Sequence, residues 1–349
     1  MLKRFSKLVR ENRWTAFMLF FVLVLYSVVL LGSLFFKENK EMAAKIEKSH
    51  LYSGAELKQK EETVKQRLSE HPEWTNALSM GFMAFVIAGV VLDVAFLRRK
   101  RQMRPWVEHP LPHATVSWGL KDVFQVLVFL FFAEGCLFLL QVAVHRITKW
   151  EMTSDLLLLA DSFVRDLAAT IFVLLLLRRR QGRPFFDLGL RSEKIFSSIK
   201  TGLLGYVAML PVLVLTFGLL AAVAGLFSYE PEPQNVVQIY LKASSQPYLL
   251  WFTLFVAALG PVLEEIFFRG FAYPALRKRF GIPVAMLLTS AVFAAFHMNL
   301  IAFFPIFVLG IFLCYLYEST GSLVPSISAH VLHNTLMVFL TLGFRSLSS

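Results

Sequence analysis

Two adjacent glutamates, Glu264 and Glu265, an arginine four residues on, Arg269, and a histidine, His297, stand inside the stretch from Gly260 to Leu300, which otherwise reads as apolar, membrane-spanning helix. An ionisable side chain at that depth costs roughly 3 kcal/mol or more unless it is paired, watered or neutralised, so such residues mark a functional site by default. Glu265 and Arg269, four apart, share a helix face and can pair. Glu264 points elsewhere on the same helix and is left as the unpaired acid, placed to accept and return a proton. Pro261, just before it, lacks an N–H and releases the carbonyl of Ala257 from the helical ladder, a kink that opens room for water. His297 closes the segment FAAFH, with Phe293 one turn earlier to pack on its imidazole. The last apolar segment adds His330 and Asn334 at i and i+4, with His333 at i+3. Helix clipping alone explains this set poorly, because one carboxylate suffices to neutralise one arginine. Asp93, Glu134 and Asp161 have no convergent partners in sequence and read as interhelical contacts or boundary residues.

The elements that must position these groups are helical and membrane-bound. The chain of 349 residues is 56% hydrophobic and 14% aromatic, with a mean hydropathy of +0.61, outside the range of soluble domains. The expected fold class is all-α, a polytopic membrane helical bundle of about nine transmembrane helices. The net charge of +11 comes from short basic clusters beside apolar runs, where they set orientation and meet the anionic lipid bilayer. Nucleic acid is therefore not an expected partner. The cysteines, Cys136 and Cys314, support neither a disulfide framework nor a cysteine-rich zinc site.

Spans of about 20 apolar residues are expected at 14–36, 76–97, 123–144, 156–177, 201–227, 247–279, 283–299, 301–317 and 323–342. The first is too long for a signal-peptide core and reads as retained. Basic clusters before the first span, at RRKRQMR, at Arg178 to Arg180 and at Arg277 to Arg279 put the N-terminus in the cytoplasm. Residues 37–74 read as a solvated helical hairpin or flexible loop outside, RPFFDLGL as a short interfacial element inside, and SYEPEPQ as an outer loop. Gly202, Gly205, Gly218 and Gly225 offer close helix approach. At about 1.5 Å per residue, Glu264 and His297 both rise roughly 21 to 23 Å from the inner ends of their spans, but His330 rises only about 10 Å. The levels agree if the inner end of the Glu264 helix projects from the bilayer or the turn before the last span is re-entrant.

The motifs EEIFFRG, FAAFH and HVLHN, in this order on successive C-terminal segments, fit the patterns EExxxR, FxxxH and HxxxN. They resemble the signature of the CPBP family, which includes CAAX prenyl endopeptidases of the Rce type and bacterial Abi and bacteriocin-processing proteins. The likeness spans about residues 195–344, within a catalytic core at 191–349; residues 1–190, with the polar loop 37–74, form an N-terminal extension. The resemblance implies a glutamate-dependent intramembrane endopeptidase, often called a metalloprotease, cutting a membrane-associated peptide or protein near the cytoplasmic side. Mapped onto this sequence, it implies that Glu264 and His297 position and deprotonate the water, that His330 and Asn334 hold the scissile carbonyl, and that Glu265 and Arg269 support them. A zinc site of His297, His330 and a glutamate is open as the cofactor alternative, although asparagine is an atypical zinc ligand and activation without metal is favoured.

HExxH is absent, GxGD is absent, and no GxSxG elbow presents Ser290, Ser326 or Ser328, which leaves the glutamate chemistry in place. Two other classes stay open. A proton-coupled transporter would use the same residues as a relay, yet the chain lacks the paired repeats such proteins show; a non-catalytic immunity or scaffold member would have less use for intact motifs. The expected location is a multi-pass position in the cell membrane, bacterial and inner.

Overall fold

The structure, a computed structural model, describes residues 13–35, 52, 54–100, 116–148, 154–180, 187–190, 195–229, 233–242 and 246–349. The first basic cluster up to Arg10, residues 37–51, the end of RRKRQMR with the Pro and His loop after it, 183–186 and 230–232 lie outside them. Every described element is helical, as the composition requires: α1 Arg13–Phe35, α2 Gly54–Glu70, α3 Pro72–Lys100, α4 Leu120–Thr148, α5 Ser154–Arg180, α6 Ile195–Leu226 and α7 Asn235–Lys242. The broken helix α8 then joins Gln246–Leu254, Phe255–Leu259, Gly260–Glu265, Ile266–Ala272 and Tyr273–Phe280, and α9 Ile282–Ala295, α10 Leu300–Thr320 and α11 Leu323–Ser348 follow.

Among the described residues six helices are long and apolar enough to cross a membrane: Pro72–Ala95, Leu120–Val144, Ile195–Leu226, Leu249–Phe280, Leu300–Thr320 and Leu323–Ser348. Ile282–Ala295 is apolar but shorter, and the stretch Trp14–Ser27 within α1 is apolar. The count of nine spans is thus not reproduced by length and composition. The segment expected at 156–177 does form α5, but it carries Asp161, Arg165 and Asp166 within its apolar run. On α3, Phe82, Phe85 and Ile87 are each more than half exposed, as expected for side chains that face lipid. The chain is a multi-pass membrane protein.

The main core joins α4, α5, α8, α9 and α10 around Phe268, Phe271, Phe293 and Tyr317. Helix α6 packs on α11, α10 and α3. A Cβ placed on Gly202 would fall 2.3 Å from the Pro325 carbonyl oxygen, and one on Gly205 3.1 Å from Leu316, so these two glycines let α6 lie close on its neighbours. Gly218 and Gly225 have nothing within 4 Å and serve no such contact.

Three expectations about polar segments change. Helix α2, charged throughout, docks on the end of α11: Lys60 Nζ donates to the Ser348 carbonyl at 3.4 Å and Arg67 Nη1 to that of Ser346 at 3.3 Å. Carbonyls in the last turn of a helix have no donor within it, and cationic side chains satisfy them. Residues 187–190 are not an interfacial skin. Leu188 is fully buried, its carbonyl accepts from Tyr317 at 3.2 Å, and the Gly189 carbonyl accepts from the Leu323 amide at 3.0 Å. At one end of the bundle, Glu318, two residues before α10 stops, accepts from the Tyr273 hydroxyl at 2.7 Å and pairs with Arg277 at 2.9 Å. Tyr273 therefore marks the level at which α10 ends, and α8 runs on beyond it. Counted from Tyr273 to Glu264 the rise is about 13 Å, and from Leu323 to His330 about 10 Å, which narrows the depth mismatch between these two residues through a projecting α8.

Candidate active site

The geometry of the site starts with a helix that cannot stay regular. Phe255–Leu259 and Ile266–Ala272 are π-helical and flank the short α-helical piece Gly260–Glu265. Wide turns of this kind are rare and gather at functional sites. In the first, the Gly260 amide bonds the carbonyl of Phe255, five residues back. On that register the next donor should reach Val256, but the next residue is Pro261, which has no N–H. The Val256 carbonyl is filled from another helix: Asn334 Nδ2 of α11 donates to it at 2.9 Å. The ladder breaks at Pro261, where the sequence places it, and the orphaned carbonyl is Val256 rather than Ala257, because the π turn shifts the register by one. The second wide stretch is held from outside by Trp118, whose indole N–H donates to the Phe271 carbonyl at 2.8 Å.

Glu265 and Arg269 are both fully buried and joined through Oε1 and Nη1 at 2.8 Å. Arg269 Nη2 donates to the Gly310 carbonyl at 3.3 Å, and the guanidinium lies 4.3 Å from the Phe293 ring centre, a cation–π contact. Glu265 Oε1 also meets His330 Nδ1 at 2.9 Å. A carboxylate paired with an arginine only accepts, so His330 carries a hydrogen on Nδ1 and turns Nε2 the other way. Nε2 lies 3.6 Å from Glu264 Oε2. His297 Nδ1 donates to the Phe293 carbonyl at 2.9 Å, and its ring packs edge-on against Phe293 with centroids 5.0 Å apart. Its neutral form likewise leaves an Nε2 lone pair. The ring is set at the end of α9 by a tight link in which Met298 takes φ 50° and Asn299 caps α10 by accepting from the Ala302 amide at 2.9 Å.

Glu264, His297, His330 and Asn334 line one chamber of about 610 Å³. Glu265 and Arg269 stand behind it, tied through Glu265 Oε1 and the two terminal nitrogens of Arg269. The neighbouring glutamates therefore differ: Glu265 is locked, whereas the Glu264 side chain is 26% exposed and borders open space. Among the described residues no three His, Cys, Asp or Glu side chains converge closely enough to hold a metal ion. No chemical step is assigned to a metal.

Arg165 and Asp166 of α5, not singled out in the sequence, also border the chamber. Arg165 lies 3.5 Å from Asp166 and 3.8 Å from Glu134 of α4, so Glu134 has a partner after all. The signal was present as two adjacent opposite charges within an apolar run.

Residues 246–336 match the family described as type II CAAX prenyl endopeptidase, Rce1-like. Over this segment the chain is similar to the CPBP family. The matched segment starts at the Gln246 end of α8 and stops within α11, so it holds Glu264, Glu265, Arg269, His297, His330 and Asn334. It is shorter than the likeness read over 195–344, and α6 lies outside it. The CPBP family is generally one of membrane proteases. Comparison with curated proteins and with solved structures returned no match.

Proposed function

We propose that the chain is an intramembrane endopeptidase that hydrolyses a peptide bond of a membrane-associated peptide or protein with a water activated by Glu264. The observation that carries this reading is the division of labour between the two glutamates. Glu265 Oε1 is held between Arg269 and His330, while Glu264 borders the chamber with His330 Nε2 3.6 Å away. Glu264 takes one proton from the water as its oxygen attacks the carbonyl carbon, and returns that proton to the departing amine. The His297 Nε2 lone pair accepts the water's other hydrogen and orients it. Glu265 holds His330 by Nδ1, as an aspartate holds the histidine of a hydrolytic triad, so that Nε2 faces Glu264 and can share the proton. Asn334, one amide hydrogen fixed on Val256, has a second to offer the carbonyl oxygen. The site lies about 10 to 13 Å above the inner end of α11, which favours a cut near the cytoplasmic face. The basic clusters of the sequence favour an inside N-terminus, and the compact EEIFFRG motif favours a bacterial inner membrane.

The test compares purified wild type with Glu264→Ala and His297→Ala on a membrane peptide library, with and without a chelator. Cleavage by wild type that both substitutions abolish is expected; undiminished cleavage by Glu264→Ala would sink the mechanism. Activity lost to the chelator and restored by zinc would assign the water to a metal instead.

A further inference from the structure

A third imidazole borders the chamber, at a position that the HxxxN pattern leaves unspecified. His333 is half-buried and lines the cavity with His330 and Asn334. Its Nδ1 lies 3.0 Å from the hydroxyl of Tyr206 on α6, and the rings meet edge-on with centroids 5.7 Å apart. Tyr206 is brought there by the close approach of α6 to α11 at Gly202 and is packed among Met209, Leu309 and Ala329.

The position of the hydrogens separates this histidine from the other two. His297 and His330 each set Nδ1 against an oxygen that only accepts, a carbonyl and a carboxylate. His333 instead meets a hydroxyl, which can donate or accept. Tyr206 is 2% exposed, and His333 Nδ1 is the hydroxyl's hydrogen-bond partner among the described residues. Were the imidazole the donor, the phenol hydrogen would be buried without an acceptor, which folded proteins avoid. Tyr206 therefore donates to Nδ1, and the neutral His333 ring keeps its hydrogen on Nε2.

The reaction needs such a donor. Glu264 is an acceptor, and so is His297 Nε2 in the neutral ring, yet hydrolysis places negative charge on the carbonyl oxygen. We propose that the Nε2–H of His333, held in that form by Tyr206, receives the carbonyl oxygen of the scissile peptide and stabilises the oxyanion, an inference that rests on the protease reading above. As the water oxygen bonds to the carbonyl carbon and its proton passes to Glu264, the carbonyl π pair moves onto the oxygen facing His333 and the second amide hydrogen of Asn334. When that pair returns, the carbon–nitrogen bond breaks and the amine leaves with the proton from Glu264. Two donors on the chamber wall, each held by a hydrogen bond at its other end, would act together as an oxyanion hole. Here His333 is the group that touches substrate, and Tyr206 is a positioning residue.

The test has two readouts on the full chain in bilayer discs. Nitrogen-15 spectra of histidine-labelled protein, with the His333 signals assigned by their loss in His333→Gln, should show Nδ1 bare and Nε2 protonated in wild type, and a mixture of the two forms in Tyr206→Phe. In cleavage assays His333→Leu should lower kcat by roughly 10²- to 10³-fold, the effect of removing one oxyanion donor, with KM changed less than about twofold. Tyr206→Phe, which keeps the ring and its packing, should produce a smaller loss of the same kind. A His333 hydrogen on Nδ1 in wild type overturns the inference whatever the kinetics show. So does a kcat for His333→Leu equal to wild type when Glu264→Gln is inactive. Full cleavage by Glu264→Gln overturns the protease reading, and with it the oxyanion role, while the spectra still decide where the hydrogen sits.

Discussion

Replacing Asn334 with leucine, nearly the same in size, removes the donor that reaches the Val256 carbonyl at 2.9 Å. That carbonyl has lost its place in the helical ladder because the following turn is π and its next donor is Pro261. In an apolar surrounding an acceptor left without a partner costs about 1–3 kcal/mol, so Asn334→Leu should lower stability by that amount. Pro261→Ala restores an N–H to the helix, which either continues the π register onto Val256 or returns the turn to α-helix; both outcomes satisfy the carbonyl. In the Pro261→Ala background the loss from Asn334→Leu should therefore fall below about 1 kcal/mol, a coupling of the size that contacting residues show. The assay is reversible unfolding of the purified protein, in all four combinations of the two sites. Costs that add within about 0.5 kcal/mol, the behaviour of independent sites, would refute the idea that Asn334 substitutes for the hydrogen that proline lacks.

Arg269→Met leaves the fully buried Glu265 carboxylate without its cation and should destabilise by about 3–5 kcal/mol, the cost of breaking a buried pair from one side. Glu265→Gln combined with Arg269→Met should recover at least half of that loss in the same unfolding assay, while cleavage stays low because His330 has lost its carboxylate; penalties that simply add would contradict the buried pair. At Gly202 a Cβ would meet the backbone oxygen of Pro325 at 2.3 Å, so Gly202→Ala should cost about 1–3 kcal/mol through overpacking and slow cleavage as Tyr206 moves with α6. Gly218→Ala has open space and should be neutral or stabilising by up to about 1 kcal/mol, the propensity gain of alanine in a helix. Equal thermal shifts for the two glycine variants would rule out the close contact.

The all-helical class and the pairing of Glu265 with Arg269 were legible in the sequence because both follow from local rules, apolar length and the i to i+4 repeat. So was the break in the ladder at Pro261. Its consequence was not, since the orphaned carbonyl depends on whether the preceding turn is α or π, and nothing local in FVAAL distinguishes them. The docking of α2 was hidden for a related reason: Lys60 and Arg67 look like a solvated face until the open carbonyls at the end of α11 are brought to them. Counting apolar runs gave nine spans where six described helices meet the length and composition a crossing needs, since Ile282–Ala295 is short and α5 carries charges. The contact of Tyr206 with His333 joins residues 127 apart, and only the packing of α6 on α11 reveals it.

The most direct measurement is the single-turnover cleavage rate of Glu264→Gln beside wild type, on one peptide selected from a membrane library. The substitution preserves shape and hydrogen-bonding reach and removes only the capacity to take a proton. A fall of about 10²- to 10⁴-fold, the contribution of a positioned general base, with substrate affinity retained, is predicted. A rate within a fewfold of wild type would contradict Glu264 as the base and return the two glutamates to equal standing.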